Sequence, residues 1–324
     1  MQHLFTFGDL VLDVVATART SLEPDTDTPG EVRSAPGGSA ANFAVWTRRL
    51  GDPVCFATRV GDDLLGRALV ADMRDEGVEV HATRDPVNPT AVLVLFSDGV
   101  QRHMMVPSGA SHFLEPSDLP EERLRSAGWL HLTGYAYFWE ATRRTLERAV
   151  AVAREAGVPI SFDPSSAGFI RRRGLELPSG IKVLLPNRDE AMALTGCDDL
   201  EEAARRLARQ AELVAVKMGP EGALLAYSET GGDARHGAAG AAAAQAVRLV
   251  HVPPATPSAP PVDGTGAGDA WGAALIHGLR RGLDPYRAAL RANRLGAEVV
   301  TRVGARPALP PDVLRQTEDG ESDA

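Results

Sequence analysis

The chain has 324 residues, 44% hydrophobic and 24% charged, which allows one large globular α/β domain or two modest ones. Its formal net charge of −9 lacks the basic excess typical of nucleic-acid binders and reads as charge for solubility. Two distant cysteines, Cys55 and Cys197, build neither a disulfide framework nor a metal site, and the eight histidines show no ligand spacing.

The first predicted element is a strand at Leu4–Phe7. The residues before it lack the basic-then-apolar pattern of a signal peptide, and no run approaches the ~18 apolar residues of a spanning helix, so a cytoplasmic protein without a membrane partner is expected. Asp13–Ser34, rich in threonine, proline and aspartate, carries no helical period. Helix Ala40–Leu50, strand Val54–Val60 and helix Leu64–Glu76 follow. Thr90–Val106 reads as two short strands around a Ser97-Asp98-Gly99 turn, with Arg102 and His103 as possible substrate contacts. Together with Asp13–Ser34 it predicts a small projecting sheet, placed like a lid.

The alternation resumes with strand Trp129–Leu132, helix Ala141–Ala156, and strands Pro159–Phe162 and Lys182–Leu185. Helix Glu201–Gln210 and strands Leu213–Lys217, Ala223–Tyr227 and Val247–Val252 come next, then helices Ala267–Arg281 and Pro285–Thr301. Gly51, Gly77 and Gly157 stand where helices hand over to strands. The pattern predicts a mostly parallel sheet with helices on both faces. Residues 229–261, rich in alanine, glycine and proline, read as a surface excursion. Residues 316–324 are polar and acidic and are expected to be disordered, leaving 1–315 as the folded domain.

The strongest chemical signal is Val262-Asp263-Gly264-Thr265-Gly266-Ala267-Gly268-Asp269-Ala270-Trp271. Small residues form a turn, and the helix after it has one apolar face at Trp271, Ala274, Leu275 and Leu279. Free amides and the dipole at such a helix start attract anions, and glycines let a phosphate come close. Asp269 falls in the first turn beside that anion. No P-loop pattern exists in the chain, and aspartate stands where a dinucleotide fingerprint needs glycine at position 269. A second glycine turn, Gly37-Gly38-Ser39-Ala40-Ala41-Asn42, opens the first helix. Asn42 there offers a donor and an acceptor suited to sugar hydroxyls.

These motifs resemble the ribokinase-like, or phosphofructokinase-B, family of sugar kinases. The resemblance spans nearly the whole chain. It runs through Gly8–Asp13, Gly37–Asn42, Gly61–Gly66, Pro186–Glu190, Lys217–Gly222, Asp263–Asp269 and Thr301–Ala305, in order. It implies a three-layer αβα sandwich with a small β-sheet lid, and an ATP-dependent carbohydrate kinase. By that resemblance Asp269 is the base, and the amides of Gly266, Ala267 and Gly268 are the anion hole for the arriving phosphoryl group. Asp13, Gly37, Gly38 and Asn42 match sugar contacts. Asn187, Lys217, Gly219, Gly222 and Asn293 match nucleotide contacts. Glu190 matches a magnesium position working through water; Asp163, at a strand end before Pro164 where ligands of a parallel sheet gather, is read as a further member of the magnesium shell. The spacing of Asn187 and Glu190 also puts them on one helix face, or makes them a helix-start capping box. Asp263 and Thr265 match ligands of a monovalent cation such as K+ in some relatives. A homodimer through the lid is a further implication.

The chain departs from the family pattern at Gly264, commonly threonine, and at Trp271, commonly phenylalanine. Ser39 and Ala40 replace the lysine and glycine usual in ribokinases. Ser165 and Ser166 follow Asp163-Pro164 where fructokinases and ketodeoxygluconate kinases often have asparagine and arginine. Arg171-Arg172-Arg173 reads as a solvated face or an anion grip. A nucleoside kinase is the alternative within the class, with Tyr135, Tyr137, Phe138 and Trp139 forming a base slot or merely core. A silent sugar or nucleotide sensor, and a dehydrogenase, are the alternatives outside it.

Overall fold

Four consecutive buried residues, Leu4–Phe7, form the first strand, β1. Burial on both faces is what a strand inside a parallel sheet requires. The computed structural model describes residues 1–18, 20, 25–97, 102–105, 107–228 and 246–316. The middle of the expected turn at Asp98-Gly99, residues 229–245 of the biased segment, and 317–324 of the tail lie outside the described residues. So do the side chains of Arg102 and His103.

Twelve more strands follow in chain order: β2 (Val11–Ala18), β3 (Gly30–Gly37), β4 (Val54–Gly61), β5 (Glu79–Asp85), β6 (Val92–Ser97), β7 (Arg102–Met105), β8 (Trp129–Thr133), β9 (Ile160–Asp163), β10 (Ile181–Leu184), β11 (Ala211–Lys217), β12 (Ala223–Ser228) and β13 (Val247–Val252). The helices are α1 (Ser39–Arg49), α2 (Leu64–Asp75), α3 (Glu121–Arg125), α4 (Glu140–Ala156), α5 (Ala167–Arg173), α6 (Arg188–Thr195), α7 (Leu200–Leu207), α8 (Ala267–Arg280), α9 (Pro285–Val299) and α10 (Pro311–Gln316).

Nine strands make the main sheet, in the order β13-β12-β11-β10-β9-β8-β1-β4-β5. All neighbours from β11 to β5 are parallel; β12 and β13 close the other edge antiparallel. Alternate residues feed opposite layers, as strand geometry dictates. Leu4, Phe56, Leu213 and Ala215 pack with α1, α2, α8 and α9. Phe5, Ala57, Val214 and Val216 pack on the other face with α3, α4 and α7. Small residues such as Ala273, Ala274, Ala288 and Ala292 line the α8–α9 contact, the most extensive helix pairing here.

The expected small sheet is present, in the order β3-β2-β6-β7. β2 pairs antiparallel with β3 and parallel with β6. Strands β2, β3 and β5 exceed what periodicity foretold. β3 is exposed along most of its length, and β5 is an edge strand with little buried surface, so neither shows an apolar alternation. The predicted helix and strand boundaries elsewhere fall within a few residues of those observed.

A buried ionic cluster braces the end of the sheet away from the strand C-termini. Asp52, 1% exposed just before β4, accepts from Nδ1 of His277 at 3.2 Å and Nη1 of Arg280 at 3.0 Å. Removing the Asp52 carboxylate leaves the Arg280 guanidinium without its counter-charge in the interior, at a cost of ~3–5 kcal/mol. Asp52→Ala should therefore lower the unfolding free energy by that amount, read as a lower urea midpoint with an unchanged m-value. An unfolding free energy within ~0.5 kcal/mol of the parent would show that the cluster is not stabilising.

Candidate active site

The ligand side of an open parallel sheet is the C-terminal end of its strands, and here the loops leaving β1, β8, β9, β10 and β11 border one cleft of 680 Å³. Two helix starts meet at its floor. Helix α8 begins after Gly266, which caps it with φ 73°, and a Cβ at that glycine would collide with Ala305. Among the described residues, the amides of Gly266 and Gly268 meet no protein acceptor, whereas Ala267 leans on the Gly264 carbonyl at 3.3 Å. Of the three amides expected to be open, two are fully so.

Asp269 occupies the first turn of α8, half-buried, and faces the first turn of α1. Its Oδ1 accepts from Ser39 Oγ at 2.7 Å, and its Oδ2 from Asn42 Nδ2 at 2.8 Å. Burial pushes its carboxyl up to about 6, against the lowering effect of those two bonds; Asp163 raises it further and Lys217 opposes. Ser39 was noted in the sequence only as a departure. Here it holds the expected base.

Asn42 is 4% exposed, and its other end accepts from Arg306 Nε at 2.7 Å. Each end of the amide thus has one bond to protein, which uses one of its two N–H groups and one of its two oxygen lone pairs, and the residue lines the cleft. Asp13, on β2, lies against Gly37, where any Cβ would overlap its carboxylate. Burial raises Asp13 to about 6, partly offset by Arg306. Gly38 lines the same corner.

The loops after β9, β10 and β11 bring Asp163, Asn187, Glu190 and Lys217 into the cleft. Lys217 Nζ donates to Asp163 Oδ2 at 2.5 Å, and a lone bridge aligns Lys217 with Asn187. Asn187 caps α6 from outside the helix rather than sharing a face with Glu190. It accepts from the Glu190 amide at 2.9 Å, while its own N–H and Nδ2 donate to the Glu190 carboxylate at 2.8 Å each. Glu190 is 2% exposed; burial first, then Asp163, pushes it up to about 7.

Other expected residues lie apart. Gly219 and Gly222 line neither cavity; they shape the turn from β11 to β12, with Gly222 pressed against Val252 and Pro254. Asn293 is buried at 7% exposure, accepting from Trp271 Nε1 at 2.8 Å and donating to the Pro253 carbonyl at 2.7 Å. A second cavity of 380 Å³ adjoins it, between Pro253–Thr256 and Leu290, Arg294 and Glu298 of α9. Asp263 accepts from Thr265 N–H and Oγ1 and from the Gly304 amide, stapling the turn to the loop after α9.

The outer cleft is aromatic on one side and aliphatic on the other. Tyr135, Trp139 and Phe169 line it, with Trp139 stacked on His112 at 3.8 Å; β2 and β6 add Val11, Val15, Leu93 and Leu95. Tyr137 and Phe138 do not reach it. Of the arginine run, Arg172 reaches the cleft over Phe169, while Arg173 donates to the Phe138 carbonyl at 2.7 Å. Asp9, Ser39, His112, Phe169 and Arg306 are residues that sequence reasoning did not select. The first two lie inside motifs it did select; the others left no local signal.

The model of the pfkB family carbohydrate kinases matches residues 1–235 and 234–312. Fructokinases of Klebsiella pneumoniae and Escherichia coli are each 32% identical to the chain, over 95% of it and 96% of their own length. Among solved structures, an adenosine kinase from Sinorhizobium meliloti superposes with a TM-score of 0.83 at 23% identity, covering 98% of this chain and 99% of its own. A ribokinase-like protein of E. coli in complex with ATP and Mg2+ gives 0.81 at 24%, covering 98% of each chain. Among the described residues no helix is long and apolar enough to cross a membrane. The chain belongs to the pfkB family and is an ATP-dependent carbohydrate kinase.

Proposed function

We propose that this kinase phosphorylates a hydroxyl of a small sugar-like molecule in the 680 Å³ cleft, with Asp269 as base. The observation that carries this reading is the carboxylate of Asp269, fixed by Ser39 and Asn42 within one helical turn of the open Gly266 and Gly268 amides. The acceptor oxygen attacks the γ-phosphorus, its proton passes to Asp269, and the bond to the ADP oxygen breaks. The two amides and the paired helix starts stabilise charge on the transferring group. Asp13 would accept from hydroxyls of the sugar, and Lys217 would neutralise phosphate.

Asp163 and Glu190 fit Mg2+: they are buried carboxylates at the cleft floor, hard oxygen donors that can act through water. Bound there, Mg2+ supplies charge neutralisation to the phosphates. The two loops joined by Asp263 and Gly304 are those whose carbonyls would converge on K+. The second cavity, beside Asn293, is where we put the nucleotide base. The small sheet is read as a lid over the sugar. In hydrogen exchange, β2 and β6 amides should then slow when sugar binds; unchanged exchange there would count against the lid.

Asp269→Asn should keep ATP affinity and lower kcat ~10²–10⁴-fold. Retained turnover would remove Asp269 from the chemistry. Because the base works ionised, kcat/KM, which follows the free enzyme, should fall as pH drops through about 6. A rate flat from pH 5 to 8 would contradict this.

A second reading, a nucleoside as acceptor, is favoured by the aromatic wall of Tyr135, Trp139 and Phe169 facing aliphatic strands. A hexose bears hydroxyls on every side and matches such a slot poorly; a flat ring stacks in it. A panel of hexoses, pentoses and nucleosides, read by ADP release, separates the two. If nucleosides win, Trp139→Ala should raise their KM about 5- to 150-fold, the worth of one stacking platform. A hexose preference with KM indifferent to Trp139 would discard this reading.

A further inference from the structure

We infer that Arg306 is a positioning residue for phosphoryl transfer, holding the Asn42 amide in the one orientation that presents its N–H to Asp269. The inference rests on Asp269 being the base.

Arg306 follows the last helix-to-loop motif by one residue, and its side chain runs inward, 7% exposed. Its guanidinium has donors and no acceptors. Nε donates to Asn42 Oδ1 at 2.7 Å, Nη1 to Asp72 Oδ2 at 3.3 Å, and Nη2 to the Gly37 carbonyl at 3.2 Å. One side chain thus joins the helix start that holds the base, the root of the small sheet, and α2. Burial lowers it to about 10, so it remains a cation at neutral pH.

The two ends of a carboxamide have nearly the same shape, and only their partners decide which way round it sits. An ionised Asp269 demands the NH₂ end. Once Asp269 has taken the acceptor's proton, the neutral acid can pair with either end. Arg306 cannot: as a pure donor it pairs only with the oxygen end. It therefore keeps Nδ2 turned to the carboxyl throughout the cycle, so that the base returns to the same ionised, doubly bonded state.

The backbone around Arg306 is pinned for this task. Trp46 Nε1 donates to the Ala305 carbonyl at 3.0 Å, and Arg49 Nη1 to the carbonyls of Arg306 and Pro307 at 3.1 and 2.9 Å. Gly266 packs directly on Ala305. The loop is wedged between α1 and the anion-binding turn, so the guanidinium has a fixed origin.

The test measures kcat and both KM values for Arg306→Met, Arg306→Lys, Asn42→Ala and the Arg306→Met/Asn42→Ala double variant, alongside Asp269→Asn. Losing a buried charge-assisted hydrogen bond should lower kcat about 10- to 100-fold in Arg306→Met, with the KM for ATP within about threefold. Arg306→Lys should not restore it, because the charge returns without Nε–H in place. On the Asn42→Ala background, Arg306→Met should add less than about threefold, since it acts through that amide. Full recovery with lysine, or an undiminished effect without Asn42, would overturn the inference. If Arg306→Met does not fold, Arg306→Gln makes the same comparisons. A near-normal Arg306→Met beside an inactive Asp269→Asn sinks this inference alone; an active Asp269→Asn sinks the reading beneath it.

Discussion

A half-buried carboxylate, Asp269, fixed between the first turns of two helices is the constraint on which this structure turns. Asp269 is bound by Ser39 and Asn42, residues 230 and 227 positions earlier. The two helices can supply those bonds only if their first turns lie side by side. Such closeness needs small residues and a shared apolar face, and α1 and α8 provide both: Gly272 touches Phe43, while Ala40, Ala44, Ala273 and Ala274 are fully packed. The same closeness points two sets of helix-terminal amides and two dipoles at one spot. A carboxylate and a turn with open amides are thus held together by the packing that stabilises the domain.

The second centre of charge, Asp163, Glu190 and Lys217, is built differently. Asp163 and Lys217 end β9 and β11, and Glu190 sits in the first turn of α6, which follows β10, the strand between them. Burial first, and then the neighbouring Asp163 carboxylate, raises Glu190 to about 7 against the pull of Lys217. The reciprocal bonds between Asn187 and Glu190 make a helix cap of two residues that also line the cleft.

Much of this was legible in the sequence because burial writes a pattern. β1, β4 and β11, covered on both faces, gave continuous apolar runs, and the helices between them gave one-sided periods. The Gly266–Asp269 turn was legible because few residue types can make a tight, open helix start. β2, β3 and β5 were not, since a sheet standing away from the core, or an edge strand, has little to bury. Asn293 reads in the sequence as a nucleotide contact; its part in tying Trp271 to Pro253, beside the second cavity, left no sequence signal. Arg306 was invisible for a related reason: an arginine in a loop looks like a surface charge until three distant elements close around it.

In-line phosphoryl transfer makes one geometric demand that coordinates can meet or fail. A crystal structure with a phosphorylatable sugar and a non-hydrolysable ATP analogue would measure it. The prediction is an acceptor oxygen within ~2.6–3.2 Å of the Asp269 carboxylate and in line with the γ-phosphorus, whose oxygens rest on the amides of Gly266 and Gly268. An acceptor oxygen beyond ~5 Å from Asp269, with the terminal phosphate away from that turn, would contradict it.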